Sequence, residues 1–312
     1  MSLTAIPVLS LNLPKAEFAQ AIGESFRTFG FAMVKDFEID RGLIDQAWKL
    51  SEEFFALPED EKRSYHDPVI AGARGYTPFG VEIAKDARHH DLKEFWHVGR
   101  DLPDGSPLAD ASMPPNVWPA RPEGFQDVFT ELYRQFDATG ATILSAIALY
   151  LGLDEHWFDK GIEDGNSVMR LLHYPPIPNL EGEAIRAGAH GDINLITLLL
   201  GAEEAGLELL FQGKEWMNAS PPEGAMVINC GDMLERLTNH FLPSTIHRVR
   251  NPNPERAKFS RYSMPFFLHL RSDFPIKTLP QCITPDNPDR YPDPITADQF
   301  LQQRLREIGL KK

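Results

Sequence analysis

Ala187-Gly188-Ala189-His190-Gly191-Asp192 leads into Leu195-Ile196-Thr197-Leu198-Leu199-Leu200, a run apolar enough to be a buried strand. Residues i and i+2 of a strand share a face, so one strand end can aim the imidazole of His190 and the carboxylate of Asp192 at one point. Gly191 between them lets the backbone bend and leaves room on the open side. By itself His-x-Asp says little, because 10 histidines and 45 acidic residues in 312 give about one or two such pairs by chance. A second pair, His89-His90-Asp91, sits in a charged run from Lys85 to Glu94 with no strand leading into it, and it reads as solvated and structural.

Context separates the two. Ser244-Thr245-Ile246-His247-Arg248-Val249 brings a second histidine, 55 residues after Asp192, at the start of another strand-like run. Two imidazoles and one carboxylate on one side of an ion leave its other positions open, a ligand set that suits ferrous iron in oxygen chemistry. Arg261-Tyr262-Ser263 then places a guanidinium fork and a hydroxyl on one strand face. That pair matches one carboxylate of a small diacid. The bland alternatives are a satisfied core histidine for His247 and a surface ion pair for Arg261.

The composition sets the frame. Of the 312 residues, 42% are hydrophobic and 24% charged, as in an ordinary globular protein able to bury a sizeable core. A formal net charge of −14 repels phosphate backbones and anionic lipid, which argues against nucleic acid and membrane as partners. Cys230 and Cys282 cannot build a disulfide framework and lack zinc-finger spacing, so a reducing, cytoplasmic setting is expected. The first residues show no signal-peptide pattern, and the most apolar runs are too short to span a bilayer. Asn218-Ala219-Ser220 matches a glycosylation sequon by chance.

Periodicity organises the rest. Phe18, Ile22, Phe26 and Phe29 predict a helix from Lys15 to Phe29 ended by Gly30, after a short strand at Ile6–Leu9 and before one at Phe31–Val34. Asp40 is placed to cap a second helix, and Pro58 with its acidic neighbours starts a third, short one. Residues 102–122 are rich in proline and read as a linker or wrap-around segment. A long helix is predicted from Phe125 to Leu151. After Gly165 come short apolar runs at 168–174, 195–200, 207–211, 225–230, 245–249 and 262–270, the pattern of a sandwich or barrel. One helical turn at Asp232–Thr238 and a surface helix from Ala297 to Ile308 complete the chain. Helices first and an all-β core after them make the class α+β.

The density of these features resembles the isopenicillin-N-synthase-like branch of the non-haem iron, 2-oxoglutarate-dependent dioxygenases. The resemblance rests on Trp216 to Leu234, Thr238-Asn239, Ser244 to Val249, Arg170-Leu171-Leu172-His173-Tyr174-Pro175-Pro176, Phe54-Phe55-Ala56-Leu57-Pro58, Gly75-Tyr76 and Asp91-x-Lys93-Glu94. It implies a distorted double-stranded β-helix, or jelly roll, with flanking N-terminal and C-terminal helices. It further implies Fe(II) on His190, Asp192 and His247, and 2-oxoglutarate held by Arg261 and Ser263 with help from Tyr174. The parts would be an N-terminal region (1–120), a supporting helix (121–164), the core (165–272) and a C-terminal tail with its helix (273–312), forming one unit. Where many members carry Asn-Tyr-Tyr, this chain has Leu172-His173-Tyr174.

The reaction implied couples oxidative decarboxylation of 2-oxoglutarate, with dioxygen, to hydroxylation of a small organic substrate, desaturation or cyclisation being variants. A monomer is expected. Tyr76, Phe79, Phe95, Trp96, Phe267 and Arg170 are candidates for the substrate pocket, with core packing as the alternative for each aromatic. The loop 72–85, the segment 91–101 and the C-terminal region are the parts expected to select the substrate. His89, His90, His97, His156, His173, His240 and His269 read as structural. Three other readings stand beside this one: an iron oxidase that does not use 2-oxoglutarate, a zinc hydrolase on the same ligands, and a non-catalytic jelly roll that keeps a metal site.

Overall fold

Phe18, Ile22, Phe26 and Phe29 do fall on one side of a helix, α1 (Lys15–Phe29), and all four are buried. Gly30 ends it in the left-handed conformation at φ 69°. Asp40 caps α2 (Arg41–Phe55), its carboxylate accepting from the Leu43 N–H at 2.7 Å. The helices α3 (Glu59–Arg63), α4 (Phe125–Tyr150), α5 (Asp159–Ile162), α6 (Asp232–Leu237) and α7 (Ala297–Glu307) complete the set. This is a computed structural model that describes residues 5–70, 72–81, 91–109, 113–177, 186–201 and 206–307. His89, His90, Ile308 and part of the expected substrate loop lie outside the described residues.

The strands are β1 (Val8–Ser10), β2 (Phe31–Lys35), β3 (Gly75–Thr77), β4 (Glu94–Gly99), β5 (Val168–Tyr174) and β6 (Ala187–His190). They continue with β7 (Ile196–Leu200), β8 (Leu207–Phe211), β9 (Glu215–Asn218), β10 (Met226–Cys230), β11 (His247–Val249) and β12 (Arg261–Leu268). The main sheet runs β1-β2-β10-β7-β12-β5-β4-β3, and a smaller one runs β6-β11-β8-β9. The sheets form the jelly-roll core that the sequence predicts. Helices and strands are less segregated than expected, because β1 and β2 extend one edge of the main sheet while β3 and β4 extend the other. The strand β4 was hidden in sequence by its position beside a charged run and by burial on both faces, which removes the alternation.

Alternation then divides the main sheet cleanly. Trp96, Val98, Met169, Leu171, Ile196, Leu198, Ile228, Met264, Phe266 and Leu268 point outward into one large core with the helices. Phe136 of α4 stacks on Phe266 with rings 5.3 Å apart and parallel to within 1°. Gly140 lets α4 approach this closely, since a Cβ there would sit 2.3 Å from Leu268 Cδ1. The opposite, inner face carries Phe31, Met33 and Val227 packed on Leu207, Leu209 and Val249 of the smaller sheet. Further along the same face lie Thr197, Asn229, Arg261, Ser263, Tyr174, Arg170, His97 and Phe95, as the register of the strand pairs requires.

The outer core carries the stability. Phe266→Ala should lower unfolding free energy by about 3–5 kcal/mol, read as a fall in the urea midpoint. An unchanged midpoint would show that the α4–sheet contact is dispensable.

Candidate metal centre and its surroundings

The strands β6 and β11 pair antiparallel with His190 directly opposite His247, and the two rings lie 4.5 Å apart. Asp192 Oδ1 is 3.9 Å from His190 Nε2 and 3.8 Å from His247 Nε2. All three ligand atoms fall within 4.8 Å of one another, and no other such grouping occurs among the described residues. Sequence reading put His190 and Asp192 on one strand end. The strand in fact stops at His190, and Asp192 turns in from the following loop, its carbonyl accepting from the Asp232 N–H at 2.7 Å. Gly191 also gives the neighbouring side chains room, since a Cβ there would meet Asp232 and Ser244 at 3.3 Å.

Each imidazole is oriented by its own strand. His190 Nδ1 contacts the Gly188 carbonyl at 2.7 Å and His247 Nδ1 the Thr245 carbonyl at 3.2 Å. A carbonyl only accepts, so Nδ1 carries the proton and Nε2 turns its lone pair to the centre. Asp192 Oδ2 accepts from Thr197 Oγ1 at 2.6 Å and from Asn229 Nδ2 at 2.8 Å, which leaves Oδ1 towards the histidines. Burial and then the neighbouring His247 push His190 down to about 4. Burial works to raise the Asp192 carboxyl, but the two imidazoles, Asn229 and Thr197 outweigh it and hold it below the ordinary carboxylate range. A neutral His190 and an ionised Asp192 are protonation states that a divalent ion requires of its ligands. The His190 side chain is 39% exposed against 5% for Asp192 and 10% for His247, so His190 forms the open edge of the group.

Arg261 and Ser263 lie on the inner face of β12, with Tyr174 opposite Arg261 across the sheet. The Arg261 guanidinium sits 5.2 Å from the centre of the Tyr174 ring. Its Nη2 donates to the Gly201 carbonyl at 3.3 Å, while its Nε is buried with no hydrogen-bond partner among the described residues. A desolvated guanidinium with an unused donor calls for an anion. Leu172, in place of an asparagine, faces Ser263 and packs with Phe95 and Tyr174 as an apolar wall. His173 points away, bound to Glu94 at 2.7 Å and to Ser260 at 2.9 Å, which makes it structural.

Two family models match the chain: the non-haem dioxygenase in morphine synthesis N-terminal model over residues 6–121, and the 2OG-Fe(II) oxygenase superfamily model over 165–270. A 2-oxoglutarate-Fe(II) type oxidoreductase of Emericella nidulans, hxnY, is 32% identical over 98% of this chain and 91% of its own length. The chain belongs to the 2-oxoglutarate–Fe(II) oxygenase superfamily. Among solved structures, a 2OG-Fe(II) oxygenase family protein from Caulobacter crescentus is 56% identical, with a TM-score of 0.91 over 98% of this chain and 100% of that one. A full-length Neurospora crassa protein crystallised with alpha-KG is 29% identical, with a TM-score of 0.85 over 96% of this chain and 95% of that one.

This oxygenase uses Fe(II), 2-oxoglutarate, dioxygen and a small-molecule substrate. Several residues around its centre escaped sequence reading. Asp91, expected to be solvated, is buried: Oδ2 pairs with Lys93 at 2.9 Å and Oδ1 accepts from the Gly188 N–H at 3.0 Å, bracing β6. No local signal marked its burial, because the strand β4 just downstream was itself hidden in the sequence. Arg186, buried four residues before His190, places a second guanidinium 5.7 Å from the Tyr174 ring, and no motif marked it. Of the pocket candidates, Phe95, Phe267 and Arg170 line a cavity of about 480 Å³. Tyr76 and Trp96 belong to the outer core instead, and Phe79 is exposed and lines no part of that cavity. His97 and His269, read as structural, also line it. No helix among the described residues is long and apolar enough to cross a membrane.

His269 gives the site a pH signature. Burial pushes its imidazole down to about 4 from an ordinary value of 6.5. Between those values the unfolded chain binds a proton that the folded chain refuses. Stability from this group is therefore complete above pH 6.5 and is lost as pH falls towards 4, at up to about 1.4 kcal/mol per pH unit. Urea midpoints of the metal-free protein between pH 7 and 4.5 should fall more steeply than those of His269→Gln. Parallel curves would contradict the burial argument.

Proposed function

We propose that His190, Asp192 and His247 hold the ferrous ion and that Arg261, Ser263 and Tyr174 hold the distal carboxylate of 2-oxoglutarate. The convergence of two imidazole Nε2 atoms and one carboxylate oxygen carries this reading. The donor set fits: both histidines spend Nδ1 on a backbone carbonyl and turn Nε2 to the centre, and the outer oxygen of Asp192 is already satisfied. Two nitrogens and one oxygen on one side of an ion leave the other positions to co-substrate and dioxygen. Bound iron supplies the activation that couples decarboxylation of 2-oxoglutarate to oxidation of a substrate C–H bond.

The chain's own residues do the positioning. Gly188 and Thr245 fix which nitrogen of each histidine faces the ion, and Thr197 and Asn229 fix the carboxylate. Arg261 draws the far end of the co-substrate to β12, and Leu172 and Phe95 keep water from the space beside it. The enzyme acts as a cytoplasmic monomer on a small organic molecule, without nucleic acid or membrane; the net charge of −14 and two buried free cysteines support this. The regions 1–120, 121–164, 165–272 and 273–312 work as one unit, a reading supported by the strands that the first of them lends to the main sheet.

Metal analysis tests the triad. His190→Ala, Asp192→Ala and His247→Ala should each abolish stoichiometric Fe(II) uptake, and Thr197→Val should weaken it by about 10–100-fold. Full iron retention in any of the three alanine variants would remove that residue from the ligand set. Arg261→Gln should raise the Kd for 2-oxoglutarate by about 30-fold or more while leaving iron uptake unchanged. If 2-oxoglutarate still bound normally, the anchor would have to lie elsewhere.

A further inference from the structure

The run Asp192-Ile193-Asn194-Leu195, which joins the carboxylate of the centre to β7, lies against the start of α6. Three successive N–H groups hold its carbonyls. Asp232 donates to Asp192 at 2.7 Å, Met233 to Asn194 at 3.1 Å and to Ile193 at 3.2 Å, and Gly231 to Leu195 at 2.8 Å. The two backbones are so close that a Cβ on Gly231 would meet the Asn194 carbonyl oxygen at 2.1 Å, which only glycine avoids. One turn further along α6, the Glu235 carboxylate accepts from the Ser244 N–H at 2.8 Å, three residues before His247. The segment 231–235 thus holds the chain beside two of the three proposed ligands, and whatever fixes this segment fixes them.

The side chain of Asp232 supplies such a fixing point. A Cβ on Gly191, between His190 and Asp192, would lie 3.3 Å from Asp232 Oδ1. The other oxygen, Oδ2, is 2.9 Å from Arg304 Nη2 of α7, and the two side chains are only 15% and 28% exposed. The contact is electrostatic, since Oδ2 has no aligned hydrogen-bond donor among the described residues. Arg304 also pairs with Glu307 of its own helix at 2.6 Å, but no other cation pairs with Asp232 among the described residues. The far end of α7 is docked separately: the Ala297 N–H donates to the Phe274 carbonyl and the Asp298 N–H to that of Ser272, each at 2.9 Å, and Phe300 is buried. Arg304 therefore reaches Asp232 from a fixed base. Removing one partner of a largely buried pair strands the other charge. A stranded Asp232 would turn towards water and carry with it the N–H that holds Asp192.

We propose that Arg304 is a positioning residue for the metal centre: its pairing with Asp232 clamps the 231–233 backbone, and with it the Asp192 loop, to the C-terminal helix. This rests on the reading of His190, Asp192 and His247 as the iron ligands. Arg304 touches none of the three and acts only through Asp232, so α7 becomes part of the support of the centre.

Anaerobic titration of the metal-free full chain with Fe(II) alone tests it, with affinity read by competition against a chelator and folding by the urea midpoint. Arg304→Gln should weaken iron binding by about tenfold or more. Arg304→Lys, which keeps the charge of an electrostatic contact, should recover most of that loss. Asp232→Asn, which keeps the backbone N–H, should weaken binding about as much as Arg304→Gln, and the double variant no more than the larger single change. Arg306→Gln, exposed on the same helix, should bind iron as the wild-type protein does. Undiminished iron affinity in folded Arg304→Gln overturns the proposal even if its urea midpoint falls, since a merely structural pair would give that result. Additive weakening in the double variant, no recovery with lysine, or equal weakening by Arg306→Gln overturns it too. If Arg304→Gln did not fold, undiminished affinity in Asp232→Asn would overturn it by itself. Failure of the wild-type protein to bind stoichiometric Fe(II) would instead count against the reading of the centre.

Discussion

The carboxylate of Asp192 is held by one sheet and aimed at a pair of histidines that belong to the other. Thr197 and Asn229, which grip its outer oxygen, lie on β7 and β10 of the main sheet. His190 and His247 face each other across β6 and β11 of the smaller one. The three-residue centre therefore exists only while the two sheets are closed on each other. The inner core of Phe31, Met33, Val227, Leu207, Leu209 and Val249 keeps them closed. Phe31 also sets its ring edge-on to His247 at 5.5 Å, so the packing that joins the sheets touches the centre directly. Burial of apolar surface does the work here, and the hydrogen bonds decide orientation.

Strand alternation turns that closure into an ordered site. With one face of the main sheet given over to helices α1, α2 and α4, every second residue of β4, β5, β7, β10 and β12 must face inward. Those positions carry, in spatial sequence, the apolar seam to the second sheet, the grip on Asp192, the Arg261–Ser263–Tyr174 group, and the cavity with Arg170 and His97. A slip of one residue in any of these strands would exchange functional side chains for core ones. The outer core, with its stacked Phe136 and Phe266, is what makes such a slip costly.

What could be read from sequence followed from how local each signal was. The helices α1, α2 and α4 announced themselves by periodicity and caps, and His190, Asp192 and His247 by residue chemistry beside strand-like runs. Arg261 and Ser263 were legible because they are two apart on one strand. Asp91 was not, because its burial comes from contacts with Lys93 and with the backbone of Gly188, nearly a hundred positions away. Arg186 and Arg74 were hidden for the same reason, since a lone arginine carries no pattern until the fold shows what it is packed against. The aromatics divided by face: Phe95 and Trp96 are adjacent in sequence, yet one looks into the site and the other into the helices.

The electrostatics of the molecule follow from that division. The chain as a whole is strongly acidic, yet Arg74, Lys93, Arg186 and Arg261 are buried, and Arg170 stands half-buried on the inner face. Buried cations are expensive unless something negative answers them. Asp91 answers Lys93, and the ionised Asp192 faces the two histidines. The Nε of Arg261 has no hydrogen-bond partner among the described residues, and in a low-dielectric site its pull on an anion is several times stronger than at the surface. A 2-oxoglutarate dianion held at Arg261, as proposed, would answer that donor.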